Sequence, residues 1–119
     1  ARALTLLRAH AAGELAALGQ AAAAGKLPEP VQEALLRSAA IYLAYQSPLA
    51  GGDPVARFHL DNGARLERLN PRADLSAKGV RQSAGIMVNY LNDLAKVDAC
   101  HDRFVHGRVV HSRAVAALL

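Results

Sequence analysis

The stretch that decides the fold is DPVARFHLDNGARLERLN, residues 53–70. Two arms rich in apolar residues flank Asp61-Asn62-Gly63, which reads as a turn because Gly63 accepts a left-handed backbone. The spacing predicts a β-hairpin over 55–69. With a three-residue loop, Leu60 faces Ala64, Phe58 faces Leu66 and Ala56 faces Arg68, which leaves one mostly apolar face. The other face pairs His59 with Arg65 and Arg57 with Glu67. A two-residue Asn-Gly turn mixes charge into both faces, so the first register is preferred.

Upstream, residues 1–48 read as helical. Leu4, Leu7, Leu15 and Leu18 mark a helix from Leu4 to about Ala24, weakened by Gly13 and Gly19 and ended by Gly25-Lys26-Leu27-Pro28. Glu29-Pro30 opens a second helix with Val31, Leu35, Ile41 and Tyr45 on neighbouring faces. It stops near Ser47-Pro48, and Gly51-Gly52 reads as a flexible joint.

Downstream of Asn70-Pro71 the spacing predicts a long third helix within 74–98, capped by Ser76 or Asp74. Val80, Ala84, Met87, Leu91 and Leu94 form its seam, with Tyr90 beside it. Gly85 inside such a helix costs about 1 kcal/mol relative to alanine, and close packing is the reading for it. Residues 99–119 read as a polar loop over 99–107 and a short terminal helix starting near Ser112. The fold class expected is α+β, a single partial domain over 1–119. A two-stranded hairpin is marginal alone, so its edges are expected to pair with strands of another segment or chain.

Composition narrows the function classes. Of 119 residues 52% are hydrophobic, which argues against disorder, but Trp is absent and any core is thin and aliphatic. A partner chain or an upstream domain would help to cover it. The net charge of +4 and pI of about 9.7 suit an anionic partner. No run of basic residues and no aromatic-plus-basic stripe occurs, so nucleic acid is not favoured. Cys100 is the single cysteine, which excludes an internal disulfide and favours a reducing compartment. No apolar run reaches the length of a membrane span, the start lacks a signal-peptide layout and the end is not a peroxisomal tripeptide. The cytoplasm is the expected location, with no membrane partner.

Among residues able to carry chemistry, His59 stands out, mid-strand in this reading and between Arg57 and Arg65. An imidazole moves protons near neutral pH, and flanking arginines attract an anionic substrate. The plainer reading is a strand histidine exposed to solvent or bonded to a neighbour. His101, His106 and His111 recur by fives, which matches neither a helix face nor a zinc spacing. Cys100 beside His101 is not aimed at it by adjacency alone. The glycines form no phosphate-binding loop.

Taken together, IYLAYQ (41–46), DPVARFHLDNGARLERLN (53–70) and ADLSAKGVRQSAGIMVNYLNDLAKVD (73–98) resemble the malonyl-CoA decarboxylase family. The order FHL-x-NGA, then ADxS, then SAG-x-MVNY is the specific signal; the first forty residues are too alanine-rich to add to it. The resemblance implies the C-terminal portion of an acetyltransferase-like fold. It implies a lyase acting on malonyl-CoA, or another CoA ester, to give acetyl-CoA and carbon dioxide without a metal or other cofactor. It also implies that His59 is the catalytic histidine and that Tyr90, in MVNY, lines the substrate pocket.

Two departures qualify that implication. Pro71 stands where the family has a tryptophan. The family's catalytic serine lies in an upstream Ser-Pro-x-Pro-Gly-Phe-like segment, which Ser47-Pro48 is not. The chain is therefore expected to be inactive alone and to need an upstream domain or another protein chain, as in an oligomer. The alternative expectation is a non-catalytic remnant serving as a structural or regulatory subunit, and a third is a CoA-ester-binding module.

Overall fold

The computed structural model describes residues 20–21 and 24–119, with the backbone alone for 81 and 82. The helix expected over Leu4–Ala24 lies almost entirely outside them. In chain order the elements are α1 (Glu29–Gln46), α2 (Pro54–Asp61), β1 (Arg65–Asn70), α3 (Ala77–Ser83), β2 (Met87–Leu91), α4 (Val97–Val105) and α5 (Arg113–Ala116). The class is α+β, as expected, and its antiparallel sheet has two strands, β1 beside β2. The sheet is built from other segments than the spacing predicted.

The first correction concerns 55–69. Residues 54–61 are helical, and only the second arm of the expected hairpin is a strand. Asp53 is the N-cap of α2: its Oδ2 accepts the Ala56 N–H at 2.9 Å, and Pro54 occupies the first turn, where its missing N–H costs nothing. Ala56 and Leu60, one turn apart, are the buried positions, whereas Val55 and Phe58 are 60% and 66% exposed. The DNG triplet ends the helix instead of turning a hairpin. The Gly63 N–H donates to Leu60 O at 3.0 Å and the Ala64 N–H to His59 O at 3.1 Å, with Gly63 at φ +91°. This is the double closure of a Schellman cap. A left-handed glycine serves a glycine-bulge hairpin and a helix C-cap equally well, so the triplet alone could not decide.

The second correction concerns 74–98. The helix starts where Ser76 caps it, its Oγ accepting the Gly79 N–H at 3.0 Å, but it ends at Ser83. Ala84 (φ 53°) and Gly85 (φ 79°) both turn left-handed, and Gly85 O receives the N–H groups of Ala73 (2.8 Å) and Asp74 (3.1 Å). The chain leaves as β2, so MVNY lies on a strand. The expected seam dissolves accordingly, with Leu94 90% exposed. Nor are residues 99–107 a loop. Val97–Val105 form α4, which buries Cys100 and Phe104 four residues apart.

Two expectations hold and one reverses. Glu29–Gln46 is helical, although Ile41 and Tyr45 sit on its exposed side. Ser112 begins the short terminal helix: its Oγ accepts the Val115 N–H at 3.2 Å and donates to Glu67 O at 2.6 Å. Gly51-Gly52 is not a loose joint, because a Cβ on Gly52 would lie 2.5 Å from Gln46 O, so the loop is folded tightly onto the end of α1.

Two compact units result. One joins the described residues up to Ser38 with Leu69–Met87, and packs Val31, Ala34, Leu35, Leu69, Ala84 and Ile86. The other joins Ala39–Arg68 with Val88–Leu119. Its core holds Leu43, Ala56, Leu60, Leu66, Phe104 and Val115. There, Leu66 N–H donates to Val110 O and Ser112 N–H to Leu66 O, both at 2.9 Å, so the chain's last segment lies along β1.

Candidate functional site

Helix α2 places His59 by three constraints. Asp53 sets the start of the helix; Ala56 and Leu60 turn one face into the core; the Schellman cap uses His59's own carbonyl, which ties the backbone of His59 to Ala64. A fourth tie comes from α4, whose His101 Nδ1 approaches Asp61 O, one of the helix's last carbonyls. His59 is thereby held at the end of a short, well-anchored helix, with its side chain half-buried.

Strand β2 supplies the partner. Val88 and Tyr90 are half-buried while Met87, Asn89 and Leu91 are exposed, the alternation of a strand with one covered face. The Tyr90 ring lies nearly parallel to the His59 imidazole, with centroids 4.4 Å apart and planes 19° apart. Phe58 meets the same imidazole edge-on, at 5.4 Å and 77°. Burial pushes the Tyr90 phenol up to about 12, and the negative charge of Asp53 adds to the shift. Tyr90 therefore stays a neutral hydrogen-bond donor at any working pH. Neither ring nitrogen of His59 has a hydrogen-bond partner among the described residues, which leaves the imidazole edge open to an incoming group.

The two residues singled out from the sequence, 31 positions apart, are thus neighbours in space. The arginines beside His59 in sequence are employed otherwise. Arg57 Nη1 donates to Ser47 O at 2.8 Å and to Leu49 O, and Arg65 Nε pairs with Glu67 Oε2 at 2.7 Å. The expected face pairing of His59 with Arg65 falls with the hairpin. The other histidines scatter: His106 bonds Asp102 O at 2.7 Å, while His111 sits on the segment beside β1. No cluster of three metal-ligating side chains occurs among the described residues. Asp53 is the residue the sequence reading missed. Asp-Pro before an apolar stretch is a helix-start signal, and it was available.

The family model of the malonyl-CoA decarboxylase C-terminal domain matches residues 2–119. The chain belongs to the malonyl-CoA decarboxylase family. It is 44% identical over 73 residues to the mitochondrial malonyl-CoA decarboxylase of Rattus norvegicus, covering 60% of this chain and 15% of the relative. The Mus musculus protein of the same name is 46% identical over 66 residues, covering 55% of this chain and 13% of that one.

The crystal structure of malonyl-CoA decarboxylase from Cupriavidus metallidurans superposes with a TM-score of 0.78 at 38% identity. It covers 100% of this chain and 31% of the solved one. That from Agrobacterium vitis gives 0.69 at 46% identity, covering 76% and 23%. The chain therefore spans about a seventh of the curated relatives' length and less than a third of the solved chains. No described helix is long and apolar enough to cross a membrane.

Proposed function

We propose that this chain is the C-terminal part of an enzyme that converts malonyl-CoA to acetyl-CoA and carbon dioxide, with His59 as the proton-transfer group and Tyr90 lining the acyl-thioester pocket. The observation that carries this reading is the half-buried imidazole of His59, stacked on Tyr90 with its ring nitrogens unengaged. Decarboxylation breaks the bond between the carboxylate and Cα and leaves the electron pair on an enolate of the thioester. Hydrogen bonds must stabilise the enolate oxygen, and an acid must deliver a proton to Cα. An imidazolium held by its backbone and by a ring face can do the second task. A neutral phenol that resists ionisation suits a pocket in which negative charge develops.

The chain does not complete the site alone. Four of the five serines bond within the fold, Ser47 Oγ donating to Leu43 O, Ser76 Oγ to Asp74 Oδ1, Ser83 Oγ to Gly79 O and Ser112 Oγ to Glu67 O. The fifth, Ser38, belongs to the other compact unit from His59. The partner proposed for His59 is a serine from an upstream portion of the enzyme, in the same chain or another. Fold completion by that portion also gives the exposed Val55 and Phe58 a surface to meet. A reducing compartment suits the free thiol of Cys100.

The test is a chimera in which this chain replaces the matching C-terminal portion of the Cupriavidus metallidurans enzyme. Acetyl-CoA formation from malonyl-CoA is expected, falling by about 10²–10⁴-fold in His59→Ala. Full activity in that variant would remove His59 from the chemistry. A folded chimera without turnover would favour the non-catalytic remnant.

A further inference from the structure

A cavity of about 430 Å³ opens between the start of β1, the end of β2 and α4. It is separate from the His59 site. Leu91 lines it, whereas His59 stacks on Tyr90, and adjacent strand residues point to opposite faces of the sheet. Its volume falls in the range of small-ligand pockets, roughly 300–1,000 Å³.

The lining is polarised. Lys96, Ala99, Cys100 and Arg103 all border the cavity and follow one another at i, i+3, i+4 and i+7, so one stripe of α4 faces it. Cations stand at the two ends of that stripe, about 10 Å apart along the helix axis, and small residues between them leave room. Val110 and Leu91 extend the apolar floor, and His111 adds an imidazole on the far side. Arg65 is answered by Glu67, and the Asp93 carboxylate accepts the Ala95 N–H at 3.1 Å. Lys96 and Arg103 have no ion-pair partner among the described residues. Asp93 keeps its negative charge in the lining, and with Arg65 paired to Glu67 the two cations Lys96 and Arg103 outnumber it, so the balance is positive.

We propose that this cavity binds a small organic anion, a carboxylate- or phosphate-bearing compound with an apolar body, at a site distinct from the decarboxylation centre. The two end cations hold the anionic groups, and the Leu91, Ala99, Cys100 and Val110 surface holds the body. Charge-assisted hydrogen bonds supply the specificity, and the small side chains supply the space.

The proposal is tested on this chain, isotope-labelled, within the chimeric enzyme described above, with two probes, succinate for a two-ended anion and inorganic phosphate for a single group. Amide resonances of Lys96, Ala99, Cys100, Arg103 and His111 are expected to shift and saturate, while those of His59 and Tyr90 stay in place. Lys96→Gln and Arg103→Gln replace exposed side chains, so folding is preserved, and each is expected to weaken binding by about fivefold or more. Because Cys100 borders the cavity, bound succinate should slow its alkylation, with the half-saturation seen in the shifts. Three results would each overturn the site. One is shifts that do not saturate; another is shifts equally large around Arg37 and Arg113; the third is alkylation of Cys100 at an unchanged rate under saturating probe.

Discussion

The rings of His59 and Tyr90 lie flat against each other, 4.4 Å between centroids and 19° between planes, although one residue belongs to a helix and the other to a strand. Aromatic pairs of this kind contribute about 0.5–1.5 kcal/mol beyond their buried area. A double-mutant cycle of His59→Ala and Tyr90→Leu, followed by urea unfolding, is expected to return a coupling energy in that range. Additive effects would mean that the rings meet without holding each other.

The raised phenol of Tyr90 makes a statement about alkaline stability. Its folded value, about 12, lies above the ordinary tyrosine value near 10. Between those values the native state holds a proton that the unfolded chain releases, so stability falls as pH rises through that window. Below about pH 10 the contribution is fully present. Tyr90→Phe should flatten this part of the stability profile, and a spectrophotometric titration should lose its component near pH 12.

Asp53 joins two roles that substitution can separate. Asp53→Ala removes the acceptor for Ala56 N–H and should cost about 1 kcal/mol, the usual loss at such a cap. Asp53→Asn keeps an acceptor and most of that stability. Both remove the negative charge that helps to raise Tyr90, so both should lower the Tyr90 titration midpoint. Thermal or urea unfolding reads the first effect, and phenolate absorbance the second.

Gly63 and Gly107 offer a matched comparison. Both have positive φ, +91° and +85°. A Cβ on Gly63 would fall 2.5 Å from both Val97 Cγ1 and Val97 O, whereas one on Gly107 would meet nothing within 4 Å. Gly107→Ala is expected to cost about 1 kcal/mol, the backbone penalty alone. Gly63→Ala adds a collision inside packed structure and should cost about 2–4 kcal/mol in total. Equal losses in urea unfolding would show that Val97 moves aside freely.

How far the sequence could be read depends on the element. Glu29–Gln46 was legible because Pro30 and the apolar spacing agree over many residues, and Ser112 was legible because its hydroxyl acts locally as a cap. The short elements were not. Pro54–Asp61 has enough alternation for a strand and enough Asp-Pro punctuation for a helix, and eight residues give neither pattern time to win. MVNY falls at helical spacing from Val80, and only the left-handed turn at Ala84-Gly85 breaks that phase.

By itself the sequence determined the α+β class and the family, and it singled out His59 and Tyr90 as candidates. Those depend on residue types and order, which motifs carry directly. Only the tertiary structure decided that His59 ends a helix, that Tyr90 lies on a strand and that the two rings touch. The Asp61-Asn62-Gly63 turn is compatible with both local outcomes, and the choice comes from long-range packing. Burial of Ala56 and Leu60, the close approach of Val97 to Gly63, and the contact of His101 with Asp61 all favour the helix.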